Sequence, residues 1–600
     1  VHEEVYTSLQ ESGWRLEVVR EGGEMKVVLL MAGAFVGYLV AYHTYGRFLA
    51  RKIFNLCDDA KAPSVAQEDG IDYVPTRKGI LFGHHYTSIA GTGPIVGPAI
   101  GIIWGWVPAL VWVFLGSIFM GAVHDFGAVV ISMRNRGLSI SECASYYLGS
   151  RVRYIFFVII FLLLMIVIAI FGVVIAAVFD RFPQAVFPVW MEIPIALATG
   201  WAIYKRKWNV AILTVVAVTL MYITVAMGHM EALQFKMPSG LGLPPTGLWV
   251  IILLVYAFIA SSLPVTTLLQ PRDYINAWQL FIVMGLLILG VVASGFGGGL
   301  VLVAPAIDVS PTGAPPLVPF LFITIACGAI SGFHSLVASG TTSKQVARET
   351  DAQFVGYGSM LMEGALAVLV IVAVAAGIGM GYKSAAGEML NGTAAWQAHY
   401  SSWAASQGLG SKLTAVVIGS ANMLEVLHIP REFGIIVMGV FIASFAGTTL
   451  DTATRIQRYV VAELFADIKL KFMANRFAAT AFAVATAGGL AFATGATGTG
   501  AMKLWPLFGA GNQLLAALAL LVMTNYLVGK GGCKFLVTGI PCVFMLVITV
   551  WAVIVNEMDF VQAENWLLGI INGVVLILAL WMVAEGVIVF GRAKWRRDGR

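Results

Sequence analysis

Apolar residues run along this chain in stretches of about twenty, separated by short polar segments, from residue 26 to residue 591. About twenty such residues at ~1.5 Å each cross a hydrocarbon layer ~30 Å thick, so the pattern predicts membrane helices. Spans are read at 26–48, 79–104, 107–132, 154–179, 188–204, 208–227, 248–268, 278–303, 318–343, 354–381, 431–450, 474–495, 504–528, 535–555 and 565–591. A further apolar stretch at 413–427 is too short to cross and reads as re-entrant or buried. The predicted fold class is all-α: a polytopic membrane helix bundle of about 15 spans plus a re-entrant segment, with broken helices.

Loop charge orients the bundle. Arg47, Arg51, Lys52, Arg77 and Lys78 share the first loop, Arg134, Arg136, Arg151 and Arg153 the third, and Lys205, Arg206 and Lys207 the fifth. Arg272, Lys344 and Arg348 continue the series, while alternate loops hold Asp180, Asp308, Glu557, Asp559 and Glu564. The positive-inside rule puts the basic loops and the C-terminus in the cytoplasm and the N-terminus outside. Were 413–427 to cross, Arg455, Arg458, Lys469, Lys471 and Arg476 would lie outside, against that rule. The chain divides into a charged lead at 1–25, a transmembrane domain at 26–591 and a basic cytoplasmic tail at 592–600. The lead has no apolar centre and is not a signal peptide; Met25 is an alternative start. The outer loop 382–410 is polar enough to be ordered over a vestibule.

Composition narrows the class. The residues are 59% hydrophobic and 12% charged, against about 25% charged in soluble proteins. The net charge of +5 sits in short loops and gives no support for nucleic-acid binding. Cys57, Cys143, Cys327, Cys533 and Cys542 fall in no outer loop, so no structural disulfide is expected. No Walker loop is present, so this chain does not hydrolyse ATP.

The chemistry concentrates where spans are broken. Gly83 to Gly97-Pro98 carries His84, His85, Thr87, Ser88, Gly91, Thr92, Gly93 and Pro94 inside an apolar run. Gly and Pro free backbone groups from the helix ladder, tolerated at membrane depth only against protein or a cavity. Such a break is the usual build of a solute site. Gly332 to Thr341, with His334, Ser335 and Ser339, repeats Gly, His, Gly and Thr at the same offsets. The two spans run in opposite directions, which suits an inverted repeat. Both histidines nevertheless fall on the cytoplasmic side of the midplane, so the echo also reads as a shared local device.

Gly447-Thr448-Thr449 with Asp451, Thr452 and Thr454 suits a small hard cation such as Na⁺; the alternative is threonines bonded back onto their own helix. His124, Asp125, Glu363 and Glu425 are intramembrane ionisable groups, which pair or serve a solute pathway. Gln270, Arg272 and Asp273 end the seventh span beside Pro264 and Pro271. Arg272 there holds a substrate carboxylate, locks an inner gate with Asp273, or is an ordinary loop cation. Asn512 and Gln513 bring two amides into an outer-half span. No Cys or acidic residue joins His84, His85 and His334 at metal-binding spacing, so neither a metal nor a cofactor is expected.

Gly83 to Ala99, His124 to Gly127, Leu268 to Tyr274, Ser331 to Thr342 and Pro506 to Gln513 resemble the carbon starvation protein CstA family, a likeness that covers residues 26–590. The resemblance implies an inner-membrane transporter related to the amino-acid–polyamine–cation superfamily. It also implies import of short peptides when carbon runs short, or of pyruvate with protons. On that reading, substrate is bound by the polar residues of the two broken segments, His84 to Gly93 and His334 to Thr341, with Asn512 and Gln513. Ion coupling falls to His124, Asp125, Glu363, Thr448, Thr449 and Asp451, with H⁺ or Na⁺ as the ion, and the gate to Gln270, Arg272 and Asp273. The expected partners are the small solute, the ion and membrane lipid, and no enzymatic activity is expected. A sensor that binds solute without moving it is the competing class.

Overall fold

The computed structural model describes residues 23–598 except 240–241, 298, 385, 408 and 468. The lead segment up to residue 22 and the side chains of the basic tail lie outside the described residues. The helices that build the site are α1 (Lys78–Ala90), α2 (Gly93–Gly101), α3 (Ala122–Arg134), α4 (Ser150–Arg181), α5 (Val186–Tyr204), α6 (Pro245–Ser262), α7 (Leu269–Gly297), α8 (Leu317–Thr324), α9 (Gly332–Gly340), α10 (Gly358–Ala375), α11 (Leu409–Glu425), α12 (Arg431–Asp467) and α13 (Trp505–Val528). One two-stranded hairpin, β1 (Tyr382–Lys383) and β2 (Met389–Leu390), orders part of the loop 382–410.

Among the described residues, twelve helices are long and apolar enough to cross a membrane, thirteen if one bent pair counts as a span. The difference from about 15 predicted spans lies in three segments that are not single long helices. The 79–104 span is α1 and α2, bent by 40°. The 318–343 span is α8 and α9, separated by non-helical backbone at 325–331. The 474–495 span is a helix of 17 residues, capped at its start by the Asn475 side chain, which accepts from Phe477 N–H. Large apolar side chains on rim helices, such as Leu29, Val215, Ile540 and Ile570, are exposed, as a lipid-facing surface requires.

The loops sort into two ends. At one, Asp72 meets Arg455 and Arg458, Val74 N–H bonds Lys344 carbonyl, Tyr73 and Gln67 bond Arg136 carbonyl, and Arg134 pairs with Glu349. This basic end gathers the loops that loop charge assigns to one side. At the other, Trp106 N–H bonds Pro305 carbonyl, Asp308 N–H bonds Trp104 carbonyl, and Val303 N–H bonds Ala375 carbonyl. α12, 37 residues and about 55 Å long, connects the two ends and packs along α4.

α11 stays with the second end at both its termini. Asn422 donates to the carbonyls of Gly377 and Gly381, beyond the end of α10. Near its start, Ser411 bonds His399, whose neighbour Tyr400 donates to Ala99 carbonyl on α2. The short apolar stretch thus forms a helix confined to one half of the bundle.

Candidate solute cavity and the buried polar groups beneath it

The break between α1 and α2 follows from one residue. Gly91 has φ +47°, in the left-handed region, and a Cβ there would collide with the Thr449 hydroxyl of α12. Only glycine combines that backbone with that approach. Two residues on, Gly93 lies so close to Cys327 that a Cβ would overlap its side chain. The break before α2 and the break after α8 therefore touch.

Above this contact lies a cavity of about 600 Å³. Its floor is Thr92, Gly93, Ala326 and Cys327, all at the two breaks. Its walls include Ile100, Phe171 and Phe508, and its rim includes Trp403, Lys412, Lys503 and Asp559. The rim belongs to the end away from the basic loops, so the cavity opens there.

Of the residues expected to bind solute, Thr92 and Gly93 line this cavity, and Gly91 is the hinge behind them. The others lie below the floor or beside it. Thr87, Ser335, Ser339 and Thr341 donate to the carbonyls of Gly83, Gly332, Ser335 and Val337 on their own helices. Ser88 Oγ lies 3.2 Å from Thr452 Oγ1. Asn512 holds the second break: its Oδ1 accepts from Phe333 N–H at 2.9 Å, and its amide donates to Ser331 Oγ at 3.0 Å. Gln513 donates to Phe322 carbonyl, next to the same break.

The histidines and acids collect beneath the floor, fully buried. His334 Nδ1 lies 2.9 Å from Asp125 Oδ2, and His124 Nδ1 lies 2.8 Å from Asp125 Oδ1. His334 Nε2 and Glu363 Oε2 are 3.4 Å apart, close enough for charge pairing but not aligned as a hydrogen bond. His85 Nδ1 bonds Thr342 Oγ1 at 2.7 Å, and His84 Nδ1 pairs with Asp273 at 2.5 Å. The packing of α1 on α9 thus brings the two echoed segments together below the floor.

The rest of the depth down to the basic end is closed. Arg272 binds Asp451 and the Tyr256 hydroxyl, donates to Ser444 carbonyl at 3.1 Å, and lies 3.7 Å from Glu192. Asp451, expected among the ion ligands, is therefore committed to a guanidinium, while Thr448 meets Asn276 and Thr449 lies over Ser88 carbonyl. Gln270 joins Tyr204, Thr76 and Gln345. At the loop level, burial works to raise the Asp72 carboxyl, but Arg455 and Arg458, with the Tyr459 hydroxyl and Lys344, outweigh it and hold it below the usual carboxylate range.

Sequence reasoning passed over Glu192, Cys327 and Lys412. Glu192 carried a legible signal, a lone acid in an apolar span, the same feature that singled out Glu363. Cys327 and Lys412 carried none, because only the fold sets them on the cavity.

A polytopic helix bundle with a cavity that ends on two touching broken spans, and closed beyond them, is the build of a membrane transport protein. This chain belongs to the carbon starvation protein CstA family, whose family model matches residues 26–552. It is 32% identical over 592 residues to the peptide transporter CstA of Campylobacter jejuni, covering 91% of this chain and 82% of that one. It is also 32% identical over 602 residues to the pyruvate/proton symporter BtsT of Escherichia coli, covering 89% of this chain and 82% of that one. Among solved structures, the complex of MhsT with L-phenylalanine aligns over 85% of this chain and 98% of its own, at 11% identity and a TM-score of 0.44, too distant to carry an argument.

Proposed function

We propose that this protein is a proton-coupled secondary transporter that carries short peptides inward across the cell inner membrane. The observation that carries the reading is the cavity of about 600 Å³, open at one end and floored by two broken spans, above a closed basic end. The positive-inside rule puts the basic end in the cytoplasm, so the cavity faces outward and the C-terminus inward. A peptide's carboxylate meets unwound backbone and the Thr92 hydroxyl at the floor, while apolar walls accept its side chains. The volume lies within the ~300–1,000 Å³ typical of sites for drug-sized ligands, and a three-carbon acid would leave most of it empty. Pyruvate is kept as the second reading because the relative from Escherichia coli is a pyruvate/proton symporter by name.

Proton coupling is supported by the chain of Glu363, His334, Asp125 and His124, which starts directly below the floor. Protonation there and peptide above would favour different states of the bundle. Inward opening would then part Arg272 from Asp451, and Arg455 and Arg458 from Asp72. Proteoliposomes test this. Labelled di- or tripeptide should exchange in counterflow, and an inward proton gradient should drive accumulation where a sodium gradient does not. Thr92→Ala should slow exchange, and Glu363→Gln should retain exchange while losing proton-driven accumulation. Exchange of pyruvate alone would overturn the peptide reading, and accumulation driven by sodium alone would overturn proton coupling.

A further inference from the structure

Three ligand-bearing side chains converge where the cavity floor meets the buried histidines. Cys327 Sγ, His334 nitrogen and Glu363 oxygen all lie within 4.8 Å of one another, and His334 and Glu363 are fully buried. They come from the second break, from α9 and from α10, so the fold alone assembles them.

The hydrogen bonds around them leave the facing atoms of His334 and Glu363 free, while the Cys327 thiol donates to Ser331 Oγ at 3.5 Å, a bond that ends when the thiol proton leaves. Asp125, as a carboxylate, only accepts, so its contact with His334 fixes the hydrogen on Nδ1 and turns the Nε2 lone pair toward Glu363 and Cys327. A carboxylate behind a histidine in this way orients and strengthens a metal ligand. His334 Nε2 and both Glu363 oxygens have no hydrogen-bond partner among the described residues. A lone pair facing an unpaired carboxylate in a dry interior calls for a positive charge between them, and a proton or a metal ion supplies it.

We propose that Cys327, His334 and Glu363 form a site for a soft divalent cation of the zinc class, reached through the cavity. Sulfur, nitrogen and oxygen donors together suit zinc, which takes four ligands, so three from the protein leave one position for water or solute. On binding, a sulfur–metal bond forms, the S–H bond breaks, and the thiol proton leaves to solvent through the cavity. The divalent charge then balances one thiolate and one carboxylate, so the ion and its three ligands carry no net charge at membrane depth, and the Asp125 carboxylate stays with His334 and His124. The ion and a proton between His334 and Glu363 exclude each other, so external zinc slows proton-driven uptake.

The full chain in detergent tests the site without any uptake measurement. Cobalt(II) should bind with a thiolate-to-metal charge-transfer band that disappears in Cys327→Ser. Asp125→Asn should weaken cobalt binding about 10- to 100-fold. In the unaltered protein, zinc should protect Cys327 from a small maleimide while the exposed Cys57 and Cys533 go on labelling. No charge-transfer band in the unaltered protein, or a band unchanged in Cys327→Ser, overturns the proposal, as does labelling of Cys327 undiminished at saturating zinc. Peptide counterflow in parallel samples separates the two readings, since a metal-binding protein that exchanges nothing sinks the transport reading and leaves the site standing.

Discussion

At the scale of single residues, Gly91 and Asp72 each decide something no neighbour can replace. Gly91→Ala would put a side chain into the left-handed region, at about 1–2 kcal/mol, and against Thr449 as well. The expected result is a lower unfolding temperature in detergent and slowed counterflow, with the unaltered protein as reference. Asp72 binds two guanidiniums at once. Its carboxyl sits below the ordinary carboxylate range, so its contribution to closure is complete above that range, roughly pH 4, and is lost only as pH falls through the depressed value. The Asp72 contacts should therefore not change between pH 8 and pH 5. Alkylation of Gln345→Cys, which lies buried just inside that end, taken at each pH as a ratio to alkylation of the exposed Cys533 so that the falling thiolate fraction cancels, should stay flat across this interval and rise below it. In Asp72→Asn, which removes an ionic contact worth about 2 kcal/mol, it should be raised at every pH.

At the scale of elements, the two broken spans are held open by different means. The first is a backbone that only glycine adopts. The second is held from outside, by Asn512 on α13, which supplies the acceptor that an N-terminal cap residue would. Asn512→Ala should cost about 1–2 kcal/mol of stability, seen in thermal or denaturant unfolding in detergent, and Asn512→Asp should not recover it, because a carboxylate there keeps the acceptor but loses the donor to Ser331 and adds a buried charge. The first break was legible because Gly91, Gly93, Pro94 and Pro98 crowd into one apolar run. That 318–343 breaks was legible from its glycines, but not that Asn512 caps it, since nothing in a linear chain ties residue 512 to residue 333. The same limit applied to the polar side chains. Hydroxyls at Thr87, Ser335 and Ser339 stood out for their type, yet each has a carbonyl of its own helix within reach, and the local bond is the one formed. Cys327 and Glu363 stand 36 residues apart in sequence, so their meeting at His334 belongs to tertiary packing.

At the scale of the molecule, one end is open and the other is locked. With Cys57, Cys327 and Cys533 replaced by serine, an impermeant thiol reagent should reach Ala326→Cys at the cavity floor from the cavity side alone, and bound peptide should slow that reaction. Equal labelling from both faces of sealed vesicles would mean that the lock at Arg272 and Asp72 is not closed in the membrane. The helix 409–425, whose two tips share a face, has a further consequence for the whole chain. A segment that enters and returns adds an even number of passages, so it leaves the sidedness of everything downstream untouched. Had it gone through, residues 455 and 458 would have emerged on the far surface from residue 72, and the clasp between them could never form.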